Sequence, residues 1–219
     1  MLGFTLSKFS LLILVISIFS IAGFFTIHLT ESLKMKALND MLAHDSTIAS
    51  EMMSSPSYCD ILLMKIPEVV SLSSSEMHYL MNISSQSFTT NEGIARNFLI
   101  FSASDKTNPG KIVAASNSPT TAELVFYERA PDGDFVKVLD NARGITLDPS
   151  GRSTELADAF YLIKEIGDDG IVRLYVFSCA ISGGLTSGCE ATKSDVGKVV
   201  WANSGLQRFK CDIGIQGGA

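Results

Sequence analysis

Residues 9–30 have the sequence FSLLILVISIFSIAGFFTIHLT, an apolar stretch without a single Asp, Glu, Lys or Arg. At 1.5 Å per residue, a helix of this length spans roughly 30 Å, which is the thickness of the hydrocarbon core of a bilayer. A cleaved secretory signal is the alternative, but the apolar core of such a signal is normally about 7 to 15 residues long. The stretch therefore predicts one transmembrane helix.

The charges that flank this stretch do not decide its orientation. Lys8 precedes it, and Lys34 and Lys36 follow it, so the positive-inside rule is almost balanced. We place the N-terminus in the cytoplasm because the opposite orientation would leave four cysteines in a reducing compartment. Asn82 begins an Asn-Ile-Ser sequon, a candidate glycosylation site that agrees with an extracytoplasmic location.

Helical periodicity continues beyond the predicted membrane span. Apolar residues recur at helical spacing at Leu33, Ala37, Leu38, Met41, Leu42, Ile48, Ala49 and Met52. Polar residues predicted for the opposite face are Lys34, Lys36, Asn39, Asp40 and Glu51. Pro56 lacks an amide hydrogen and disfavours a helical residue before it, so the helix should end near Met53 after roughly 45 residues.

These features divide the chain into four parts. Residues 1–8 are a short cytoplasmic N-terminus or leader, 9–30 the transmembrane helix, 31–57 its amphipathic continuation and 58–219 an extracytoplasmic β-rich head. The net charge is −6, and the residues after Lys8 carry sixteen Lys and Arg against twenty-three Asp and Glu. Such an acidic surface repels phosphate backbones, so nucleic acid is not an expected partner.

Short β-prone runs alternate with turn sequences in the head. Turns are predicted at 91–93, 108–110, 131–134, 148–151, 167–170 and 183–184. Strands are predicted at 78–84, 98–101, 111–115, 123–127, 135–139, 171–177, 199–203 and 207–213. The Ser-rich stretches 71–75 and 84–90 are expected to be polar loops. The fold class is therefore α+β, a long N-terminal transmembrane and amphipathic helix packed on an antiparallel β-sheet head.

The clearest predicted hairpin joins residues 160–166 to 171–178 through the turn at 167–170. Alternate residues from Val172 to Ser178 form a mostly apolar side, as a half-buried strand requires. Residues 154–166 could instead form a short helix, because Glu, Leu and Ala are frequent there. The sequence leaves both interpretations open.

The four cysteines lack the paired spacing of a zinc site, and no histidine lies near them in sequence. Disulfides are expected, for which three complete pairings exist. We favour Cys179 with Cys189, since the Gly- and Ser-rich loop between them bends easily. Cys59 with Cys211 would then join the end of the helix to the last predicted strand.

No residue constellation points to catalysis, a metal or a cofactor. His28, His44 and His78 are dispersed, without a nucleophile in a recognisable motif. The loop 183–188 lacks the lysine of a phosphate-binding loop, and the aspartates at 132–134 and 168–169 suit turns better than a calcium loop. We therefore expect a protein that is not an enzyme.

Gly3-Phe4-Thr5-Leu6, followed by the apolar run, resembles the processing site of type IV prepilins. The resemblance implies cleavage after Gly3, with Phe4 as the new N-terminus. It also implies one long helix, half embedded in the membrane, on a β-rich head that is often disulfide-bonded. The family usually has glutamate at the fifth mature position, which is an assembly position and is Lys8 in this chain.

The resemblance implies a structural subunit of a type IV pilus-like surface filament or of its assembly machinery. Its partners would be the lipid bilayer and, through the N-terminal helix, further copies or other pilin-like subunits. It would be stored in the cell membrane as a single-pass protein and reach the cell surface on assembly. The alternative is a single-pass, membrane-anchored extracytoplasmic binding module.

Overall fold

The computed structural model describes residues 2–72, 75–89, 95–129, 135–151, 156–167, 169–179 and Cys189. Helix α1 runs unbroken through Leu2–Ser54, 53 residues or roughly 80 Å. The helix ends within one residue of the predicted end. It begins at Leu2, before the predicted start at Phe9, and is therefore longer than the predicted 45 residues. The Ser55 amide still donates to the Glu51 carbonyl (3.0 Å), and Pro56 then ends the hydrogen-bond pattern.

Eleven strands follow α1 in the described part of the chain. They are β1 (Cys59–Lys65), β2 (Val70–Leu72), β3 (Ser75–Met77), β4 (Tyr79–Thr89), β5 (Ala95–Asp105), β6 (Asn108–Thr120), β7 (Glu123–Arg129), β8 (Phe135–Lys137), β9 (Ile145–Leu147), β10 (Ala159–Ile166) and β11 (Val172–Cys179). The predicted strands at 199–203 and 207–213 lie outside the described residues. The long helix with a β-rich head establishes the α+β layout.

One sheet has five strands in the order β1-β10-β11-β7-β8. The predicted hairpin is present as β10 and β11, which pair antiparallel with Ile166 opposite Val172. The helical alternative for this stretch is therefore wrong over Ala159–Ile166, because β1 and β11 hold β10 on both sides. β11 and β7 run parallel, a pairing that an all-antiparallel prediction did not include.

The second large sheet has the order β6-β5-β4-β9, and β2 and β3 form a separate pair. The polar loops expected at 71–75 and 84–90 are wrong in large part. Ser71 lies in β2, and Ser84 to Thr89 extend β4 along β5. The turn predicted at 108–110 is wrong, because Asn108 is the first residue of β6. The turn lies just before it, where the Asp105 carboxylate accepts a hydrogen bond from the Thr107 amide (2.7 Å).

The core lies where α1 and the two large sheets meet. Phe101 of β5 and Phe160 of β10 face each other across it, with ring centroids 6.3 Å apart. Leu38 and Leu42 of α1 belong to the same buried cluster and are fully inaccessible to solvent. The helix packs mainly on β6, the edge strand of the four-stranded sheet.

The other side of the five-stranded sheet carries a second buried cluster, which is rich in aromatic side chains. Tyr127 and Phe177 stack with ring centroids 4.6 Å apart. The Tyr175 hydroxyl donates to the buried Glu165 carboxylate (3.2 Å). The alternation predicted along residues 171–178 therefore separates two buried sides of β11, not a buried side from a solvated one.

Candidate functional site in the two halves of the long helix

The first half of α1, residues 9–29, has no buried residue on any side and is called the exposed half. Its apolar side chains include Phe19, 73% exposed, and Leu29, 62% exposed. Within the described residues, α1 is the one helix long and apolar enough to cross a membrane, judged by length and composition. A helix apolar all round requires an apolar surrounding, either lipid or other helices.

Two threonines at the end of the exposed half and just beyond it have their hydroxyls bonded within the helix. The Thr26 and Thr30 hydroxyls donate to the carbonyls of Ala22 and Thr26, each at 2.8 Å. The His28 ring lies edge-on to Phe24, with centroids 4.2 Å apart. Because a hydroxyl bonded within its own helix leaves no donor unsatisfied in hydrocarbon, these threonines do not oppose insertion.

Residues 34–54 form the docked half, which presents one side to the head. The buried residues on this side are Lys34, Leu38, Leu42, Asp45, Ser46, Ala49 and Met52. Their spacing is mostly three or four residues, that of one helical face, as the amphipathic pattern predicts. Leu33 and Ala37, which were predicted for the same face, are exposed instead. The assignment of Lys34 to the opposite, solvated face is wrong, since its side chain lies on the docked side, where its stem can cover apolar surface.

Asp45 is the one acidic residue within the docked side of α1. Burial raises the pKa of its carboxyl to about 6, and the adjacent His44 opposes part of that shift. Tyr79 of β4 is fully buried, and its hydroxyl donates to the Pro67 carbonyl (2.6 Å). Burial, and to a lesser extent the Asp45 carboxylate, raises the pKa of Tyr79. An ionisable carboxyl thus lies inside the contact between the helix and the head.

The C-terminal end of α1 is fixed by a buried cation. Lys164 of β10 is fully buried, and its ammonium donates to the Ser55 carbonyl. A cation at the C-terminal end of a helix complements the helix dipole and satisfies one of its free carbonyls. Just beyond, the Ile166 amide donates to the Tyr58 carbonyl (3.0 Å), so β10 holds the chain on both sides of Pro56.

Three residues of the predicted assembly region, Gly3, Phe4 and Lys8, lie on the first turns of α1. Their side chains are outside the described part of the structure. Cleavage between Gly3 and Phe4, and the role of Lys8 in assembly, stay predictions.

The cysteines agree with the expected disulfides as far as the structure describes them. Cys179 at the end of β11 is bonded to Cys189, with Cα atoms 5.2 Å apart. Cys59 is also disulfide-bonded. Cys211 lies outside the described residues, so the expected pairing of Cys59 with Cys211 stays a prediction. Cys59 opens β1 and Cys179 ends β11, so the two strands that flank β10 both carry a disulfide.

Asn82, the candidate glycosylation residue, lies in β4 between β5 and β9. Its Nδ2 lies within hydrogen-bond distance of the Arg143 carbonyl (2.9 Å), the Ile145 carbonyl (3.2 Å) and the Thr146 hydroxyl (3.3 Å). A glycan on this nitrogen would replace hydrogen bonds that fasten β9 to β4. Glycosylation stays a prediction, and the folded head does not favour it.

Sequence reasoning missed Asp45 as an ionisable carboxyl buried between the helix and the head, and Lys164 as the residue that holds the helix end. The signal for Asp45 was its position at helical spacing between Leu42 and Ala49. Lys164 gave no comparable signal, because its partner Ser55 is distant in sequence and the two meet only in the folded head.

No protein-family model, curated protein or solved structure matches the chain. What the long helix does therefore has to follow from its own chemistry.

Proposed function

We propose that this chain is a pilin-like structural subunit, stored in the cell membrane by its N-terminal helix and assembled through that helix into a surface filament. The observation that carries the proposal is the change in environment along one continuous helix. Residues 9–29 are exposed on every side, whereas residues 34–54 are seated on the head. A helix built this way can exchange lipid for neighbouring helices while its head stays folded.

The exposed half suits both environments for the same physical reason. In lipid its backbone is fully hydrogen-bonded within the helix, and its side chains contact acyl chains. In a bundle of identical helices the same side chains would pack against each other, and dispersion contacts would replace lipid contacts. The docked half sets the head at a fixed position relative to this segment, so that assembly of the helices also arranges the heads.

The processing motif at Gly3-Phe4 supports a filament subunit over a plain anchor. It is tested by mass spectrometry of the N-terminal peptide from membrane and cell-surface fractions. We expect a mature chain that begins at Phe4. A chain that begins at Met1 would overturn the processing claim, and one that begins beyond Gly23 would identify a secretory signal.

Extraction distinguishes a filament subunit from an anchored binding module. Mechanical shear should release assembled subunits into the medium as high-molecular-weight material, without detergent. An anchored module would stay with the membrane under shear and dissolve only in detergent. Electron microscopy of the sheared fraction, with immunogold labelling of the head, shows whether the released material is filamentous.

A further inference from the structure

Arg96 lies between two adjoining hollows at one end of the four-stranded sheet. The first has a volume of about 500 Å³ and reaches to Ser50 and Ser54 of α1. The second has a volume of about 440 Å³ and lies on the outer side of β4, β5 and β6, against Phe88 and Phe98. Because Arg96 lines both, we treat them as one surface, the Arg96 cleft.

The cleft combines apolar side chains with a free cation. Phe88 and Phe98 form an edge-to-face pair with ring centroids 5.6 Å apart, and Phe88 is 50% exposed. Arg96 is exposed, and its guanidinium has no ion pair or hydrogen bond to any described residue. Phenylalanine and arginine side chains are enriched in protein interfaces. The cleft therefore suits an apolar side chain that is followed by a carboxylate.

Such a pair is present on the other side of β4, in the segment that connects β8 to β9. Leu139 is 93% exposed, and Asp140 beside it is also exposed. The segment is firmly held, since the Val138 amide donates to the Phe126 carbonyl (2.9 Å) and the Ser85 amide donates to the Asn141 carbonyl (2.8 Å). Leu139 is thus presented to solvent by an ordered backbone.

We propose that Leu139 and Asp140 of one copy of this chain bind in the Arg96 cleft of the next copy. Leu139 would contact the Phe88 and Phe98 rings, and the Asp140 carboxylate would pair with the Arg96 guanidinium. We call Leu139 and Asp140 the knob. A second copy is the favoured occupant because the knob and the cleft match in both polarity and charge, on a chain whose net charge of −6 otherwise repels its own copies.

The contact would be heterologous, since no residue belongs to both surfaces. The knob lies beside β4 on the side away from β5, and the cleft extends from β4 across β5 and β6 to α1. A heterologous contact repeats without a two-fold axis and generates an open helical array or a ring. The inference thus deepens the proposed function by naming a head-to-head contact of the filament.

Photo-crosslinking in full-length chains tests the contact directly. Leu139 is replaced by the photoreactive residue benzoylphenylalanine, in a mixture of isotopically light and heavy chains in native membranes or filaments. We expect light-to-heavy crosslinks from position 139 to the peptide that contains Phe88 and Phe98. The same residue at Ile112, which is 65% exposed and does not line the cleft, should not reach that peptide. Crosslinks from 139 to another protein, to another part of the head, or to nothing would overturn the proposal.

Charge reversal provides the second test. Arg96→Glu should lower the yield of the light-to-heavy crosslink about tenfold, because it sets two carboxylates against each other. Asp140→Arg in the same chain should restore it. Asp140→Asn, which keeps the Oδ1 acceptor for the Ala142 amide (3.0 Å), should give an intermediate yield. An unchanged yield in Arg96→Glu, with the head folded, would overturn the charge pairing.

These results are distinguishable from failure of the proposed function. If the crosslink forms but the chain begins at Met1 and is not released by shear, the contact between heads is supported and the proposed filament function is wrong. If processed chains are released by shear as filaments but the crosslink does not form, the proposed function is supported and this contact is wrong.

Discussion

The two halves of α1 share one backbone geometry but are built for different surroundings. Residues 9–29 are apolar on all sides and contact no part of the head, whereas residues 34–54 bury one narrow side against it. In the first half the position of a side chain around the helix makes no difference to its exposure. In the second, a side chain on the docked side is buried while its neighbour in sequence can be exposed, as Leu38 and Asn39 show. The same kind of substitution should therefore act differently in each half.

Truncation of a leucine should show the largest difference between the halves. Leu42→Ala removes a fully buried side chain from the core, and cavities of this kind cost about 2 to 5 kcal/mol. The melting temperature of the head should fall by about 5 to 15 °C. Leu29→Ala is the matched control, because Leu29 is 62% exposed and outside the core.

Thermal melting of the purified full-length chain in detergent, followed by near-ultraviolet circular dichroism, measures both variants. Leu29→Ala should melt within about 1 °C of the wild type. If both variants melted alike, the division of α1 into an exposed and a docked half would be wrong.

A charged substitution should have the larger effect in the exposed half, and that effect should be on membrane retention and not on the stability of the head. Phe19→Arg places a guanidinium near the middle of the exposed half, where a membrane would impose about 2.5 to 3.5 kcal/mol. The fraction of the chain that resists alkaline carbonate extraction should fall several-fold, while the melting temperature of the head stays unchanged. Asn39→Arg, at an exposed position of the docked half, should change neither quantity. Equal membrane retention of both variants would contradict a membrane-spanning role for residues 9–29.

The contrast between the halves also explains which features could be predicted from sequence. The uniform apolar stretch and the end of the helix at Pro56 are local properties, and the structure agrees with both. The Ser-rich segment 84–89 was predicted as a loop because its residues are polar, yet β5 supplies a complete set of strand partners for it. Local propensity does not contain that information.

Of the two halves of α1, only the surroundings of the exposed half could be predicted in full from the sequence. Burial of Lys34 and Asp45 depends on which side of α1 meets β6, β5 and β2, and that is decided by the head. The cleft at Arg96 is formed by residues that are adjacent only across paired strands, such as Phe88 and Arg96. No pattern in the linear sequence brings these residues together.

The smallest expected effect is a pH dependence of the docked half. The pKa of Asp45 is raised by burial to about 6, above its usual value of 3.8, so the folded head favours the protonated carboxyl. The resulting stabilisation is complete below the unfolded pKa and is lost as the pH rises through about 6. Asp45→Asn, which resembles the protonated form, should therefore raise the melting temperature at pH 7.5 by about 2 to 6 °C, from about 1 to 2 kcal/mol after allowance for solvent screening.

The difference between Asp45→Asn and wild type should shrink as the pH falls from 7.5 to 4.5, since the native carboxyl becomes protonated over that range, and it should vanish only below the unfolded pKa of 3.8. Asp40→Asn, an exposed position on the same helix, should give a small difference that does not follow this profile. A constant difference for Asp45→Asn across the range would mean that Asp45 stays ionised in the folded head. The contact between the helix and the head would then accommodate the ionised Asp45 carboxylate. Lowering the pH would in that case not stabilise the docked half relative to the exposed half.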